Sequence, residues 1–366
     1  MKSKDQALTI YDVAQRAGVS IASVSRVLNG HTTPRPETRE RVLQAVAELG
    51  FVPDGAARAL SSRLKEVIAV VYRQMWLDDR DEPVFESEAE NLAFVDVMNR
   101  GIEVAARRRN FDLLMSSVDV HDHLPVTRLH SLAGKSDGML LHDRVLTPAA
   151  IVRLAERLPV VTLAGTPTRA SVNVVGDNAS GMREVVGHLI DVHGARTVAF
   201  LSGHADSPDS VMRAKAVQEA AAEHGARALL GPAWQGEYSA NGGARVIRNL
   251  LDGGGSLPDA IACANDQSAL GAVYALRERG YRIPEDVLIT GFDDIPLARH
   301  LNPPLTTVRQ PVQQMGALAF DALYSMIDGG KPEQRQLTLP VELVLRASCG
   351  CVPESPARKP VQVQPA

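Results

Sequence analysis

Apolar segments that alternate with helical segments constrain the fold more than any other feature of this chain. Strand candidates occupy residues 67–72, 111–117, 137–142, 159–164, 197–203, 259–265 and 287–292, and candidate helices occur around 94–109, from 178 to about 192, and up to 280. Strands separated by helices predict parallel sheets with helices on both faces. Because this pattern extends over roughly 300 residues, too many for one core, we expect two lobes.

The first 53 residues predict three short helices. Thr9, with Asp12 three residues later, forms a capping-box pattern before the first helix. Gly18 ends that helix, and Ser20 can cap a second one after a tight turn. Two helices joined by a short turn that contains glycine form a helix-turn-helix.

Apolar side chains at helical spacing predict how these helices pack. On the second helix the apolar stripe is Val19, Val24, Val27 and Leu28. A third helix is predicted over 36–49, starting at a proline, and we expect it to bury Val42, Leu43, Val46 and Leu49.

The charge of the chain is unevenly distributed. The net charge of −4 divides into +4 for residues 1–65 and −8 for the remainder. A small basic head on an acidic body favours a nucleic-acid contact at one end, although a solvated charged face would give a similar excess.

The polar face of the second helix suits a DNA groove. Helices in the major groove contact base edges with side chains near their N-terminus, while hydroxyls hold phosphates. We therefore expect Ile21, Ala22 and Arg26 to face the groove and Ser20, Ser23 and Ser25 to lie beside the backbone. A small exposed helix of an ordinary globular domain is the alternative.

Three long segments resemble the LacI/GalR family of bacterial transcription regulators. They are TIYDVAQRAGVSIASVSRVLNG, TRERVLQAVAELGFVPDGAARAL and AIACANDQSALGAVYALRERGYRIPEDVLITGFDDIPLARHLNPPLTTVRQP. The resemblance covers about residues 8–348. It implies a small all-α helix-turn-helix head joined to an α/β two-lobed periplasmic-binding-protein-like effector domain with parallel sheets.

The family resemblance also implies how DNA is bound. Dimers of the family bind near-palindromic, double-stranded operator DNA. The base-reading positions correspond to Ile21, Ala22 and Arg26, and we add Asn29, which follows the helix. Leu60 matches a hinge leucine that opens a base step from the minor groove, with Ala57 beside it. Ordinary hinge packing is the alternative role for Leu60.

A ligand cleft between the lobes is implied as well. Similarity places the following residues at it: Arg213, Asn265, Asp293 and Tyr238. Arg73 and His142 follow strands that end at the cleft. Guanidinium, carboxylate and aromatic groups suit a carbohydrate. Each of these residues has a structural alternative as an ordinary salt-bridge or packing partner.

The chain departs from the family in two ways that affect the ligand. Ala164 stands where some sugar-responsive relatives have an aspartate, and two arginines with a histidine make the cleft basic. A phosphorylated or acidic ligand is therefore admissible beside a neutral sugar. The connection within 74–91 is longer and more acidic than the family's, and it could cover the cleft or touch a partner subunit.

We divide the chain into a head (1–53), a hinge (54–65), an effector and dimerisation domain (66–350) and a disordered proline-rich tail (351–366). The chain has no long apolar run and starts without an apolar signal segment, so we expect a cytoplasmic protein without a membrane span. The three cysteines receive no role, and we expect no cofactor and no metal.

Two other classes of protein remain as alternatives. An enzyme is disfavoured because Gly134-Lys135-Ser136 lacks the earlier glycine of a phosphate loop, with leucine at position 129 instead. The histidines at 121, 123 and 130 are typical of a polar loop rather than a metal site. A solute-binding protein of a sugar transporter would explain two lobes but not the basic head.

Overall fold

The computed structural model describes residues 8–28, 33–52, 64–74, 88–119 and 125–351. The chain divides into two compact units, residues 1–66 and residues 67–366. The predicted hinge boundaries fall largely outside the described residues, so the four-segment division stays a prediction.

The first unit contains three helices, α1 (Ile10–Ala17), α2 (Ile21–Leu28) and α3 (Pro36–Leu49). The Asp12 carboxylate accepts hydrogen bonds from the backbone N–H of Thr9 at 2.9 Å and from its hydroxyl at 2.7 Å, which holds the first turn of α1. Gly18, in a left-handed conformation, ends α1. Small apolar side chains form the core: Val13, Ala14, Ala17, Val24, Val27, Val42 and Ala45.

The predicted inward face of α3 was wrong at one position. Leu43 is 50% exposed, whereas Val42 and Ala45 are buried. Val42 and Ala45 are three residues apart and share the buried face of α3, whereas Leu43 is adjacent to Val42 and points away from that face.

The first lobe of the second unit has a six-stranded parallel sheet. Its strands are β1 (Val67–Gln74), β2 (Asp112–Asp119), β3 (Gly138–Leu141), β4 (Val160–Leu163), β5 (Val172–Gly176) and β11 (Gln336–Leu339). The spatial order is β11-β5-β4-β3-β1-β2. Its helices are α4 (Glu88–Arg108), α5 (Pro125–Ala133), α6 (Pro148–Ala155) and α11 (Val312–Ile327).

Alternation along β1 shows why both faces of this sheet need helices. Ile68 and Val70 pack against α4 and α11, while Ala69 and Val71 pack on the opposite side against α5 and α6. A parallel strand buried on both faces has an uninterrupted apolar sequence for this reason.

The second lobe repeats the plan with four parallel strands. They are β6 (Thr197–Leu201), β7 (Arg227–Leu229), β8 (Ala260–Cys263) and β9 (Leu288–Thr290), in the order β7-β6-β8-β9. Helices α7 (Asn178–Asp191) and α8 (Pro208–Glu223) cover one face, and α9 (Ala240–Asp252) and α10 (Asp266–Glu278) cover the other.

The described chain passes between the lobes at three places. The passages lie between β5 and α7, between β9 and α11, and between β11 and the short strand β12 (Glu342–Val344). Strand β10 (Thr307–Arg309) pairs antiparallel with β12, so two of the passages are hydrogen-bonded to each other. The predicted fold class, a helical head with a two-lobed α/β domain of parallel sheets, is confirmed.

Candidate functional site

The second helix of the head presents a small polar surface. The Ser20 hydroxyl accepts a hydrogen bond from the Ser23 backbone N–H at 3.2 Å and so caps α2. Ser20, Ile21, Ala22 and Arg26 are exposed, and Ser23 and Ser25 are half-buried. This end of α2 is therefore accessible, and side chains there have the position from which recognition helices contact base edges.

The remaining predicted DNA contacts are not placed. Asn29, Ala57 and Leu60 lie outside the described residues. So does most of the acidic connection that follows Arg73. Their roles stay predictions from the sequence.

Ion pairs join the two lobes across the cleft. The carboxylate of Asp206, which follows β6 in the second lobe, binds two arginines of the first lobe. Its oxygens lie 3.2 Å from Arg73 Nη1 and 3.1 Å from Arg144 Nη1. Burial alone would raise the pKa of Asp206, but the two arginines outweigh it and hold that pKa below its ordinary value. Asp206 is therefore ionised at neutral pH.

A cavity of about 530 Å³ lies at these ion pairs, within the range of small-molecule sites. Its lining includes Arg73, His142, Asp143, Arg144, Thr162 and Asp206. The fold thus brings the predicted residues Arg73 and His142 together. The charged groups around it suit a ligand with several hydroxyl or anionic groups.

Two titratable groups that line this cavity, the buried His142 and the half-buried Asp143, have strongly shifted pKa values. Burial lowers the pKa of His142 to about 4, and its Nε2 lies 3.4 Å from Asn99 Oδ1. Burial also raises the pKa of Asp143 to about 7, although a hydrogen bond with Ser207 and the nearby Arg144 oppose the shift. At neutral pH the imidazole is therefore neutral and the carboxyl group is close to half-protonated.

Arg213 lies in the second lobe with several protein partners. It is 3% exposed, donates to Asn178 Oδ1 at 2.7 Å and to the Ala264 carbonyl, and pairs with Asp209 at 3.5 Å. Its guanidinium stacks 3.7 Å from the centre of the Phe292 ring. A planar cation held in this way is rigidly positioned, but most of its donors already have acceptors.

The Asn265 side chain contacts the backbone of Tyr238. Asn265 Nδ2 donates to the Tyr238 carbonyl at 3.0 Å, and its Oδ1 accepts from the Ser268 N–H at 2.9 Å, which caps α10. The Tyr238 hydroxyl lies 3.2 Å from Ser207 Oγ. Asn265 therefore also has the structural role of joining the Tyr238 loop to α10.

Asp293 is the sixth predicted cleft residue. Its Oδ1 accepts from Gln310 Nε2 at 2.7 Å, and it has a φ of 115°, a conformation that costs energy for a residue with a side chain. Burial raises its pKa to about 6 against the opposing charge of Arg213. The lining of the 530 Å³ cavity does not include Asp293, Arg213, Tyr238 or Asn265.

Sequence reasoning missed Asp143, Arg144 and Asp206. All three follow apolar strands, in the segments LLHDR and LSGHADSPDS. Polar residues after parallel strands lie at the carboxyl edge of a sheet, where ligands bind in open α/β folds. That position is the pattern that could have identified them.

A helix-turn-helix unit and a two-lobed domain with a charged cleft define the class of ligand-responsive DNA-binding regulators. Comparison with known proteins agrees with this class. The family described as bacterial regulatory proteins, lacI family, matches residues 9–54. The family described as periplasmic binding protein-like domain matches residues 186–349.

Relatives and solved structures match along almost the whole chain. The ribose operon repressor of Haemophilus influenzae is 31% identical, over 93% of this chain and 98% of its own. The HTH-type transcriptional regulator CelR of Thermobifida fusca is also 31% identical, with the same two coverages. The structure of the Lac repressor dimer bound to operator and the anti-inducer ONPF matches with a TM-score of 0.80 and 26% identity, covering 94% of this chain and 99% of that one.

The chain belongs to the lacI family of bacterial regulatory proteins, and it is a DNA-binding transcription regulator. The resemblance identified from its sequence motifs is confirmed. In the part of the chain that the structure describes, no helix has the length and apolar character needed to cross a membrane.

Proposed function

We propose that this protein is a cytoplasmic repressor, without catalytic activity, whose affinity for operator DNA is set by a small molecule bound between the lobes. The observation that carries the proposal is that one chain contains both parts. Its head exposes Ser20, Ile21, Ala22 and Arg26 on α2, and its two-lobed domain has a charged cleft. A solute-binding protein of a transporter would not need a DNA-binding head.

The ligand class follows from the groups at the cleft. Arg73, Arg144 and Asp206 offer charged donors and acceptors for hydroxyl groups, and the two arginines also suit a phosphate. The ribose operon repressor is one relative, and one matched structure is a complex of the transcriptional regulator CelR with cellobiose. We therefore propose a carbohydrate or a sugar phosphate as the effector.

A ligand in this cleft can change how the two lobes are arranged relative to each other. Asp206 joins them by ion pairs with Arg73 and Arg144. A ligand that takes over these partners changes the relative free energy of the open and closed arrangements. Only such a difference in affinity for two states can shift their populations.

The repressor is proposed to act as a homodimer on a near-palindromic operator. Helix α4 leaves Val97 and Val104 more than a third exposed. They are seven residues apart and so lie on one face of the helix. An exposed apolar face of this kind suits a two-fold interface, and a dimer doubles the operator contacts of each small head.

A ligand screen followed by operator release tests the proposal. Mono- and oligosaccharides and their phosphates are screened by thermal shift, and each compound that stabilises the protein is added to the protein–operator complex in a mobility-shift assay. The proposal expects at least one such compound to change operator affinity by about tenfold, which corresponds to ~1.4 kcal/mol of coupling. Compounds that stabilise the protein but leave operator affinity unchanged would contradict it.

A further inference from the structure

Two histidines and two cysteines of the second lobe converge away from the cleft. They are His188, His193, Cys349 and Cys351, and their ligating nitrogen and sulfur atoms all lie within 4.8 Å of one another. Cys349 is buried and the other three are half-buried. None of the four lies in helix α2 or lines the cavity at the ion pairs.

The fold brings the two pairs together from distant parts of the chain. His188 lies in the last turn of α7, and His193 follows that helix. Cys349 ends the 3-10 helix Ala347–Cys349, and Gly350 between the cysteines has a φ of 92°. A glycine accepts this conformation without strain, so the short Cys-Gly-Cys segment can turn both sulfurs toward the imidazoles.

The spacing of the donor atoms fits one tetrahedral cation. The two Nε2 atoms are 3.1 Å apart. The nitrogen–sulfur separations are 3.6 Å for Cys349 to His188, 3.3 Å for Cys351 to His188 and 3.5 Å for Cys351 to His193. Zinc bonds of about 2.0 Å to nitrogen and 2.3 Å to sulfur give tetrahedral edges of roughly 3.3–3.8 Å.

We propose that His188, His193, Cys349 and Cys351 bind one zinc-class divalent cation in a closed, tetrahedral, structural site. Two thiolates and two imidazoles are a donor set that favours Zn²⁺ over harder cations. On binding, the two thiols release their protons to solvent, and no electron transfer is involved. The Thr306 hydroxyl lies 3.0 Å from Cys349 Sγ and 2.9 Å from the Arg346 carbonyl oxygen. When its single hydrogen is directed at the sulfur, it stabilises a thiolate from outside the donor set.

The cation would join the end of the third passage between the lobes to helix α7. Four protein donors leave no position for a substrate, so the role is structural rather than catalytic. The second lobe is then stabilised by RT ln(1 + c/Kd), where c is the free Zn²⁺ concentration, because the cation binds the folded state.

Metal analysis of the purified full-length protein under reducing conditions tests this site. Bound metal is removed from the protein with a chelator, and the metal-free protein is titrated with Zn²⁺. A second sample is reconstituted with Co²⁺. The visible spectrum of bound Co²⁺ reports tetrahedral geometry, and its near-ultraviolet charge-transfer band reports thiolate ligands. Thermal unfolding is recorded with and without Zn²⁺. The variants are Cys351→Ser and His193→Gln, which change half-buried side chains with little change in size.

Matched controls separate this site from general binding to cysteine and histidine. Cys263→Ser alters a cysteine of β8, and His224→Gln alters the histidine that pairs with Asp191. We expect one equivalent of Zn²⁺, a tetrahedral thiolate spectrum with Co²⁺ and a higher Tm with Zn²⁺ in wild type and both controls. We expect the Cys351→Ser and His193→Gln variants to bind at least about tenfold more weakly and to lose the Tm increase.

Three results would overturn the proposal. One is the absence of stoichiometric binding by the reduced wild-type protein. Another is a Co²⁺ complex with octahedral or thiolate-free spectra. The third is equal affinity in the site variants and the controls, which would mean adventitious binding only.

Discussion

Arg26 is the long charged side chain on the exposed polar face of α2, so it offers the sharpest test of how the head binds DNA. Guanidinium groups in the major groove contact guanine or phosphate. Arg26→Ala should weaken specific operator binding by about 1–3 kcal/mol. A mobility-shift assay at fixed salt concentration measures this loss.

Arg41→Ala is the matched control for Arg26. Arg41 is exposed on α3 in the same unit, so its removal makes the same change in net charge without altering α2. We expect a smaller loss of operator affinity from Arg41→Ala than from Arg26→Ala. Equal losses in the two variants would mean that the head binds through net charge and not through α2.

The raised pKa of Asp143 predicts that closure of the two lobes depends on pH. In the ion-paired arrangement its pKa is about 7, against 3.8 for an ordinary aspartate, so between these values the closed form binds more protons than an open form with a solvated carboxyl group. Through Asp143, closure is favoured as pH falls toward 4 and is opposed as pH rises toward 7, beyond which the penalty is constant. His142 and His204 act in the opposite sense, because burial lowers their pKa values to about 4 from 6.5 and an open form with solvated imidazoles binds more protons as pH falls. Each of these groups changes the closed-to-open ratio by at most about tenfold per pH unit.

Fluorescence energy transfer between labels on the two lobes measures this dependence between pH 5 and pH 8. Asp143→Asn should remove the contribution that favours closure at low pH and leave the opposing contribution of His142 and His204. Asp293, with a pKa of about 6, also titrates in this range, and comparison with the variant separates its contribution. An unchanged pH profile in Asp143→Asn would show that Asp143 does not control closure.

The sequence indicated which residues lie at the cleft better than it indicated what those residues contact. Arg73 and His142 were found because each lies at the end of a strand, and both line the cavity. The contacts of Arg213 with Asn178 and Ala264 could not be predicted, since they join residues 35 and 51 positions away. Whether Arg213, Tyr238, Asn265 and Asp293 touch a ligand stays a prediction.

The crossing of α4 and α11 sets the shape of the first lobe. At Gly101 an added Cβ would lie 2.0 Å from the Gln313 carbonyl oxygen, and at Gly316 it would lie 2.1 Å from the Met98 carbonyl oxygen. The helices approach backbone to backbone here, and backbone atoms cannot move aside as a flexible side chain can. Glycine is required at both positions for this reason.

Gly101→Ala should lower the free energy of unfolding by about 1–3 kcal/mol, as overpacking does. Gly187→Ala in α7 is the control, because its nearest neighbour would be at an ordinary 3.5 Å and alanine favours a helix interior. Urea unfolding of both variants measures the difference. A Gly101→Ala variant as stable as Gly187→Ala would contradict the close crossing.

Elements with strong local patterns were predicted from the sequence, and others were not. The three head helices and the strands from β1 to β4 were expected close to their observed bounds. Strand β5, which the pattern did not identify, lies at a passage between the lobes. Strands β10 and β12 have three residues each and form only by pairing with each other, so no local pattern predicts them.

Dimerisation through α4 can be tested by placing a charge on that helix. Val104→Glu places a charge on the exposed apolar face of α4 and should raise the dimer dissociation constant at least about tenfold, because a charge in an apolar interface is desolvated without a partner. Val211→Glu, at an exposed valine of α8, is the control. Sedimentation at micromolar concentration distinguishes monomer from dimer, and a monomeric wild type would contradict the dimer itself.

Reciprocal linkage between ligand and operator tests whether a ligand in the cleft controls operator binding. If a ligand in the cleft changes operator affinity by some factor, operator DNA must change the affinity of the protein for that ligand by the same factor. The measurement is ligand titration by calorimetry, using a compound identified in the carbohydrate screen, with and without saturating operator DNA. We expect a ligand Kd that differs about tenfold between the two titrations, in agreement with the shift in operator affinity. The same ligand Kd with and without operator would contradict it.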